Sequence, residues 1–228
     1  MPNITPEQYI ALIKESFQEN GVPEDAVQKV RYMKNHFDFY GLRAKIWVGL
    51  LKELFVEYGI YEGKDLEYFI QRCFDDEYRE IHYAAIQMFE RQQKKSDHDY
   101  IDLLEWMVVH QSWWDSVDWI SKLIGIQFKK HPEQIIPYTQ KWIKGDNMWL
   151  QRVAIIFQSA YKEQTDQELL FDYCKQKAFD KEFFIRKAIG WALRQYSRTN
   201  PQAVKAFVIE NQNQLSTLSK REALRLMD

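Results

Sequence analysis

Residues 112–118 read Ser-Trp-Trp-Asp-Ser-Val-Asp and place two tryptophans and two aspartates close together. Carboxylates are costly to bury and large apolar rings are rarely exposed in groups, so the segment is a candidate working surface. In a helix, Trp114 and Asp118 are four residues apart and face the same side. An indole followed by a carboxylate one turn later could hold a sugar or a cation. The alternative is that Trp113 and Trp114 are core residues and the aspartates cap a helix.

The composition restricts the class of protein that carries this segment. Eight glycines and six prolines in 228 residues leave little material for a turn-rich β fold. Cys73 and Cys174 lie far apart and in no paired motif, so we expect no disulfide framework. The first residues do not resemble a signal peptide, and no apolar run is long enough to cross a membrane. We therefore expect a soluble intracellular protein that makes no membrane contact.

Charge is divided unevenly along the chain. Residues 1–109 carry 13 Lys and Arg against 20 Asp and Glu (net −7), and residues 110–228 carry 18 against 13 (net +5). A basic second half can follow phosphates even when the whole molecule is slightly acidic. Such asymmetry is common, so the pattern permits a polyanionic partner without requiring one.

The chain reads as helical almost throughout. Apolar residues recur at helical spacing, as in residues 183–192 after Asp180, and acidic residues often precede these runs. Short polar connectors at 96–99, 130–133, 144–147 and 198–201 separate them. We find no strand-and-turn pattern and no linker, and we predict one all-α domain over residues 1–228.

The helical runs also repeat with a period in the mid-thirties. Aligning them gives a ladder of equivalent positions: Gly49, Ala84, Asp118, Val153, Ala188 and Ala223. This period with two helices per unit is typical of an α-solenoid, and it predicts about six HEAT-like repeats in a curved molecule with a basic concave face. Small ladder residues would let neighbouring helices approach closely. Asp118 is the exception, because a carboxylate in a packing column needs a partner or a function.

The predicted concave face collects groups that suit nucleic acid. Basic side chains would hold phosphates, indoles would pack on sugars, and the carboxylate would face positive charge. For Trp149 and Phe184 a core position is the better prediction, and Trp191 could also be core. Arg152 could instead be a solvated salt-bridge partner. The set that we assemble is Trp114, Asp118, Arg152 and Trp191, with Lys187 and Arg194 nearby.

Other chemistries have little support. The five histidines form neither a His-Glu-x-x-His pattern nor a Cys/His cluster, so we expect no metal site. There is no phosphate-cradling glycine loop and no Gly-x-Ser-x-Gly elbow. We expect no cofactor.

A known family has similar segments in the same order at 31–35, 112–118, 146–152, 183–194 and 218–223. Through them the chain resembles the AlkD-type DNA alkylation repair glycosylases, and the likeness covers nearly the whole chain. The resemblance implies HEAT-like repeats and excision of cationic bases such as 3-methyladenine and 7-methylguanine. It further implies that Asp118 is the catalytic aspartate, that Trp114 and Trp191 flank the deoxyribose of the lesion, and that Arg152 belongs to the catalytic site.

The same resemblance suggests where DNA binds. After residues 41–43 the family tends to continue with a proline and paired arginines, whereas this chain reads Ala-Lys-Ile-Trp-Val. DNA contacts of the second repeat are therefore expected to differ, although Arg43 and Lys45 keep positive charge there. The residues that we expect to contact DNA are Tyr32, Lys34, Arg43, Trp113, Lys187 and Arg194.

The resulting hypothesis is a monofunctional glycosylase that removes N3- and N7-alkylated purines from duplex DNA. A cationic base needs no general acid to leave, and a carboxylate can stabilise the oxocarbenium-like sugar and activate water. The family is reported to act without drawing the base into a pocket. We expect a monomer in the bacterial cytoplasm or nucleoid that requires no protein partner. The alternatives are a non-catalytic DNA-binding HEAT-repeat protein and a protein-binding HEAT scaffold.

Overall fold

The computed structural model describes residues 2–227, and over this range the fold is all-α, as predicted. The described residues form thirteen α-helices and two short 3₁₀ turns, with one isolated bridge between Asp38 and Tyr78. No described helix is long and apolar enough to cross a membrane. The helices are α1 (Pro6–Glu19), α2 (Pro23–Tyr32), α3 (Ala44–Tyr58), α4 (Gly63–Phe74), α5 (Arg79–Gln93), α6 (Ile101–Val109), α7 (Trp114–Lys130), α8 (Ile135–Lys144), α9 (Met148–Ile156), α10 (Gln167–Gln176), α11 (Phe183–Tyr196), α12 (Pro201–Glu210) and α13 (Thr217–Leu224).

The helices group into two compact units, one ending at His98 and one beginning at Asp99. In the first unit α4 packs against α5 and α1 contacts α3, α4 and α5. In the second unit α9 packs against α7, α8 and α11, and α11 packs against α13. Each ladder residue lies on an odd-numbered helix from α3 to α13. The number of repeats and the basic concave face stay predictions.

Local sequence signals explain where many helices begin. The Thr5 side chain accepts a hydrogen bond from the Gln8 backbone N–H at the start of α1, and the Gln8 side-chain oxygen accepts one from the Thr5 backbone N–H. Asn147 accepts from two backbone N–H groups at the start of α9. Asp166, Asn200 and Ser216 each accept from one backbone N–H group at the start of α10, α12 and α13.

The first unit has an aromatic core around α1. Tyr9, Ile13 and Phe17 are completely buried and lie at the helical spacing of four residues. The Tyr9 ring meets Tyr61 and Phe69 edge-on or tilted, and its hydroxyl donates to backbone carbonyls of residues 54 and 59. Burial raises the pKa of Tyr9, so the phenol stays protonated and keeps donating.

A buried carboxylate holds the loop between α2 and α3. Glu80, at the start of α5, is completely buried and accepts hydrogen bonds from the backbone N–H groups of Tyr40, Gly41 and Leu42 at 3.1–3.2 Å. The ammonium of Lys29 lies 3.3 Å from the same carboxylate and also donates to the Leu42 carbonyl. Charge-assisted bonds of this kind compensate a buried anion for its lost hydration.

The same loop requires left-handed backbone at its tightest point. Gly41 has φ of +87°, and a Cβ atom there would lie 2.1 Å from the carbonyl oxygen of Val22. Only glycine fits this position without displacing backbone. The loop is further joined to α5 because the Arg79 N–H donates to the Asp38 carbonyl.

The second unit is organised around α9. Residues 151–156 of this helix are all buried, and Phe157 meets Phe128 of α7 edge-on at 5.2 Å. Gly125 brings α7 close to the end of α9, because a Cβ atom there would lie 2.5 Å from the Phe157 carbonyl oxygen. The ladder residue Val153 is completely buried, as the packing column predicts.

Replacing Glu80 with alanine should destabilise the first unit by roughly 3 kcal/mol, because three backbone donors and Lys29 lose a buried acceptor. Urea denaturation followed by circular dichroism measures the change. Glu53→Ala, which alters an exposed carboxylate of α3, is the matched control and should stay within about 0.5 kcal/mol of wild type. Equal stability of the two variants would contradict the role given to Glu80.

Candidate functional site

The centre of the candidate site is an ion pair between Asp118 and Arg152. Arg152 Nε lies 2.8 Å from Asp118 Oδ1, and Arg152 Nη2 lies 2.9 Å from Oδ2. The third side of the guanidinium donates from Nη1 to the Phe184 carbonyl oxygen at 2.7 Å. α9, which carries Arg152, is thereby joined to both α7 and α11. The guanidinium is fixed in place by two partners at once.

The two ends of this ion pair differ in exposure. The Arg152 side chain is 6 % exposed, whereas the Asp118 side chain is 22 % exposed. The guanidinium carbon also lies 6.0 Å from the Phe184 ring centroid and 5.9 Å from that of Trp191, within cation–π range. The positive end is therefore enclosed by protein, and the carboxylate keeps access to solvent.

Aromatic side chains form a cluster beside the ion pair. The Trp113 ring meets Trp149 edge-on at 5.9 Å and Phe184 at 5.4 Å, and Trp149 and Phe184 lie 4.9 Å apart. All three rings are half-buried. Trp149 and Phe184, which the sequence assigned to the core, thus lie between core and surface. Trp113, an expected DNA contact, takes part in this packing, and its contact with DNA stays a prediction.

Trp114 and Trp191 approach the ion pair from different helices. Trp114 is the first residue of α7 and lies one turn before Asp118, so the two share a helix face. Trp191 lies on α11, next to the guanidinium of Arg152. Both indoles are half-buried. The Trp191 indole thus lies beside Arg152, and Trp114 shares a helix face with Asp118.

A second charged cluster lies on α11 and α13. Lys187 Nζ donates to Glu222 Oε1 at 3.1 Å, and Arg194 Nη1 donates to Glu222 Oε2 at 2.7 Å. The hydrogen bond from Lys187 and the charges of both cations lower the pKa of the Glu222 carboxyl, although burial opposes this shift. Glu222 is therefore ionised at neutral pH.

The remaining expected DNA contacts belong to the first unit. Tyr32 ends α2 and is 66 % exposed. Lys34 is exposed in a left-handed turn with φ of +59°. Arg43 precedes α3 and pairs with Asp25 at 3.0 Å. Exposure suits all three for binding a polyanion, and that role stays a prediction.

Sequence reasoning missed the function of Glu222 and of the Phe184 carbonyl. Arg152, Lys187 and Glu222 each directly precede a ladder residue, and the distance of 35 residues between Lys187 and Glu222 matches the ladder period. Opposite charges one period apart were thus an available signal. The Phe184 carbonyl had no signal, because a backbone acceptor leaves no trace in residue type.

Metal and thiol chemistry find no group to support them in residues 2–227. No three His, Cys, Asp or Glu side chains in this range are arranged to hold a metal ion. Cys73 and Cys174 are free and buried, and desolvation raises the pKa of both thiols. Protonated buried thiols are poor nucleophiles.

Fold and site together define an all-helical protein that presents a partly exposed carboxylate, fixed by arginine, among indoles and basic side chains. Residues 13–227 match the sequence model of the DNA alkylation repair enzyme family. The chain belongs to this family.

Two solved structures are similar to the chain. One is described as a predicted DNA alkylation repair enzyme from Enterococcus faecalis; it is 33 % identical, with a TM-score of 0.84 over 91 % of this chain and 97 % of its own. The other is the smu.31 protein of Streptococcus mutans, 16 % identical, with a TM-score of 0.62 over 98 % of this chain and all of its own, which shows a common fold alone. No curated protein matches the chain significantly.

Replacing Arg152 with alanine should lower the free energy of unfolding by roughly 3 kcal/mol, because Asp118 and the Phe184 carbonyl both lose their donor. Chemical denaturation measures the loss. Arg198→Ala, at an exposed arginine of the same unit, is the control and should change stability by about 0.5 kcal/mol or less. If Arg152→Ala behaved like the control, the ion pair would not hold the three helices.

Proposed function

We propose that this chain is a DNA glycosylase that excises cationic N3- and N7-alkylpurines, such as 3-methyladenine and 7-methylguanine, from duplex DNA. Membership of the DNA alkylation repair enzyme family supports a role in DNA repair. The observation that carries the specific proposal is the Asp118 carboxylate, which is partly exposed and is fixed by a buried arginine beside the Trp191 indole.

Asp118 supplies the negative charge that this reaction needs. As the glycosidic bond lengthens, the alkylated base leaves as a neutral molecule and positive charge develops on the deoxyribose. A carboxylate already held in place stabilises that charge with little reorganisation. It can also orient or deprotonate the water that attacks the sugar.

Arg152 and the tryptophans support this role. Arg152 occupies one lone-pair direction on each oxygen of Asp118, and an ionised carboxylate has about four such directions. The others stay available for water and sugar. Trp114 and Trp191 would pack their rings on the deoxyribose, and Lys187 and Arg194 would bind phosphates. No group in this scheme recognises the base, so selectivity would follow from the lability of cationic adducts.

A second candidate is a DNA-binding protein without excision activity. It draws support from the bidentate pairing of Asp118, since a carboxylate engaged by arginine through both oxygens can be wholly structural. The partial exposure of the Asp118 side chain favours the glycosylase candidate. The two candidates differ in one measurable product, the abasic site.

Incubating the protein with a duplex that contains one 7-methylguanine should produce abasic sites, which alkaline cleavage reveals as strand breaks. Asp118→Asn should reduce excision at least about 100-fold, because the amide cannot stabilise the sugar cation by charge. Asp172→Asn, which alters an exposed carboxylate on α10, is the control and should leave excision unchanged. Wild-type protein that yields no abasic site would refute the enzyme proposal, and equal rates for Asp118→Asn would refute the role of Asp118.

Binding of Asp118→Asn to duplex DNA should remain within about threefold of wild type, because phosphate contacts dominate affinity. Fluorescence anisotropy with a labelled duplex measures this, and affinity should fall steeply as the salt concentration rises. Duplex binding without excision by the wild-type chain would select the second candidate. Absence of both would leave the protein-binding scaffold.

A further inference from the structure

We propose that Lys187 and Arg194 form a phosphate clamp on either side of Trp191, and that Glu222 is the positioning residue that holds both cations. The phosphate would belong to the DNA backbone beside the lesion, so the inference rests on the proposed function. Three features of α11 and α13 carry it: the spacing of the cations, the depth of Glu222, and the excess of positive charge.

The first feature is the spacing along α11. Lys187, Trp191 and Arg194 are separated by four and three residues, so they follow one face of the helix. The ring of Trp191 lies 5.9 Å from the guanidinium carbon of Arg152, which binds Asp118. The two cations therefore bracket the indole of α11 that belongs to the candidate site.

The second feature is the close approach of α13 to α11. A Cβ atom on Gly190 would lie 2.6 Å from the Cβ atom of Glu222 and 2.9 Å from the carbonyl oxygen of Ser219. Glycine at this position lets Glu222 reach beneath the face of α11, where its side chain is only 10 % exposed. From there each carboxylate oxygen accepts from a different cation.

The third feature is the charge of the cluster. Two cations share one carboxylate, and the nearby charge of Arg225 also acts on that carboxylate. An ammonium has three donors and a guanidinium five, so most donors of the clamp remain after Glu222 is satisfied. The side chains of Lys187 and Arg194 are 37 % and 20 % exposed, which leaves them accessible to an anion.

Glu222 would act by preorganisation. A free lysine or arginine loses much rotamer freedom when it binds a phosphate, and this entropy opposes binding. A buried carboxylate that already restrains both side chains reduces that loss. A plain counter-charge would do the opposite, because a carboxylate near DNA repels the phosphates. These two roles predict opposite effects of removing the charge.

Glu222→Gln tests the difference by binding to an undamaged duplex, measured by fluorescence anisotropy at constant salt. If Glu222 positions the clamp, its loss should raise Kd about threefold or more even though the protein becomes more positive. The matched control is Glu182→Gln, which removes an exposed carboxylate before the same helix and should bind as tightly as wild type or tighter. Equal or tighter binding by Glu222→Gln would overturn the proposal.

The salt dependence of binding shows which side chains contact DNA phosphates. The logarithm of the association constant falls linearly with the logarithm of the salt concentration. Lys187→Gln and Arg194→Gln should each make this slope less steep by about 0.9, the value expected for one lost phosphate contact. The double variant Lys187→Gln, Glu222→Gln should lose less binding free energy than the two single variants lose together, because both residues act on the same phosphate contact. Unchanged slopes in both cation variants would overturn the clamp. These two slopes can be measured even if Glu222→Gln does not fold.

These measurements separate the clamp from the proposed reaction. The clamp is scored on undamaged DNA and requires no excision, so a wild-type chain that binds duplex DNA but releases no base would refute only the enzyme. A wild-type chain that does not bind duplex DNA would refute the clamp.

Discussion

The second unit depends on the requirement that the nearly buried guanidinium of Arg152 have a counter-ion. A guanidinium cannot lose its charge in a protein, so an isolated one at this depth would be strongly destabilising. Asp118 of α7 supplies that counter-ion, and the Phe184 carbonyl of α11 supplies a further hydrogen-bond acceptor. The position of one side chain thus couples the geometry of three helices.

The period of the sequence explains why such pairs form. Asp118 and Arg152 are 34 residues apart, and Lys187 and Glu222 are 35 apart. Lys187 and Glu222 each directly precede a ladder residue, so they are equivalent positions of successive units and are expected to lie side by side. Asp118 is itself a ladder residue, and its partner Arg152 directly precedes the next one, Val153. The first pair joins α7 to α9 and the second joins α11 to α13. The buried partner differs between the two pairs: the cation is enclosed in the first, and the carboxylate is the more buried group in the second.

The sequence predicted what depends on residue type and spacing. Helical periodicity and the scarcity of glycine identified an all-α chain, and the ladder placed Asp118 and Val153 on corresponding helices. It did not predict the role of Glu80, because three of its partners are backbone N–H groups of a distant loop and leave no residue pattern. It assigned Trp149 to the core, because hydrophobicity does not say whether the rim of a cluster faces solvent.

The choice among candidate roles for Asp118 also lay beyond the sequence. A carboxylate in a packing column is equally consistent with a salt bridge and with a functional site. The two differ in whether the carboxylate reaches solvent, and the exposure of a side chain is set by the packing around it rather than by residue type.

That asymmetry gives the ion pair its chemical meaning. The guanidinium lies near the rings of Phe184 and Trp191, and the carboxylate is partly exposed. The pair is therefore a fixed dipole whose negative end faces solvent. A positive charge that develops at the surface would be closer to the carboxylate than to the guanidinium. Because Arg152 is bound at three nitrogen atoms, the dipole cannot turn away as that charge forms, and its field acts without the reorganisation that water would need. Burial of the positive partner thus fixes Asp118 in the fold and leaves its carboxylate accessible to the cationic sugar that the proposed reaction would form.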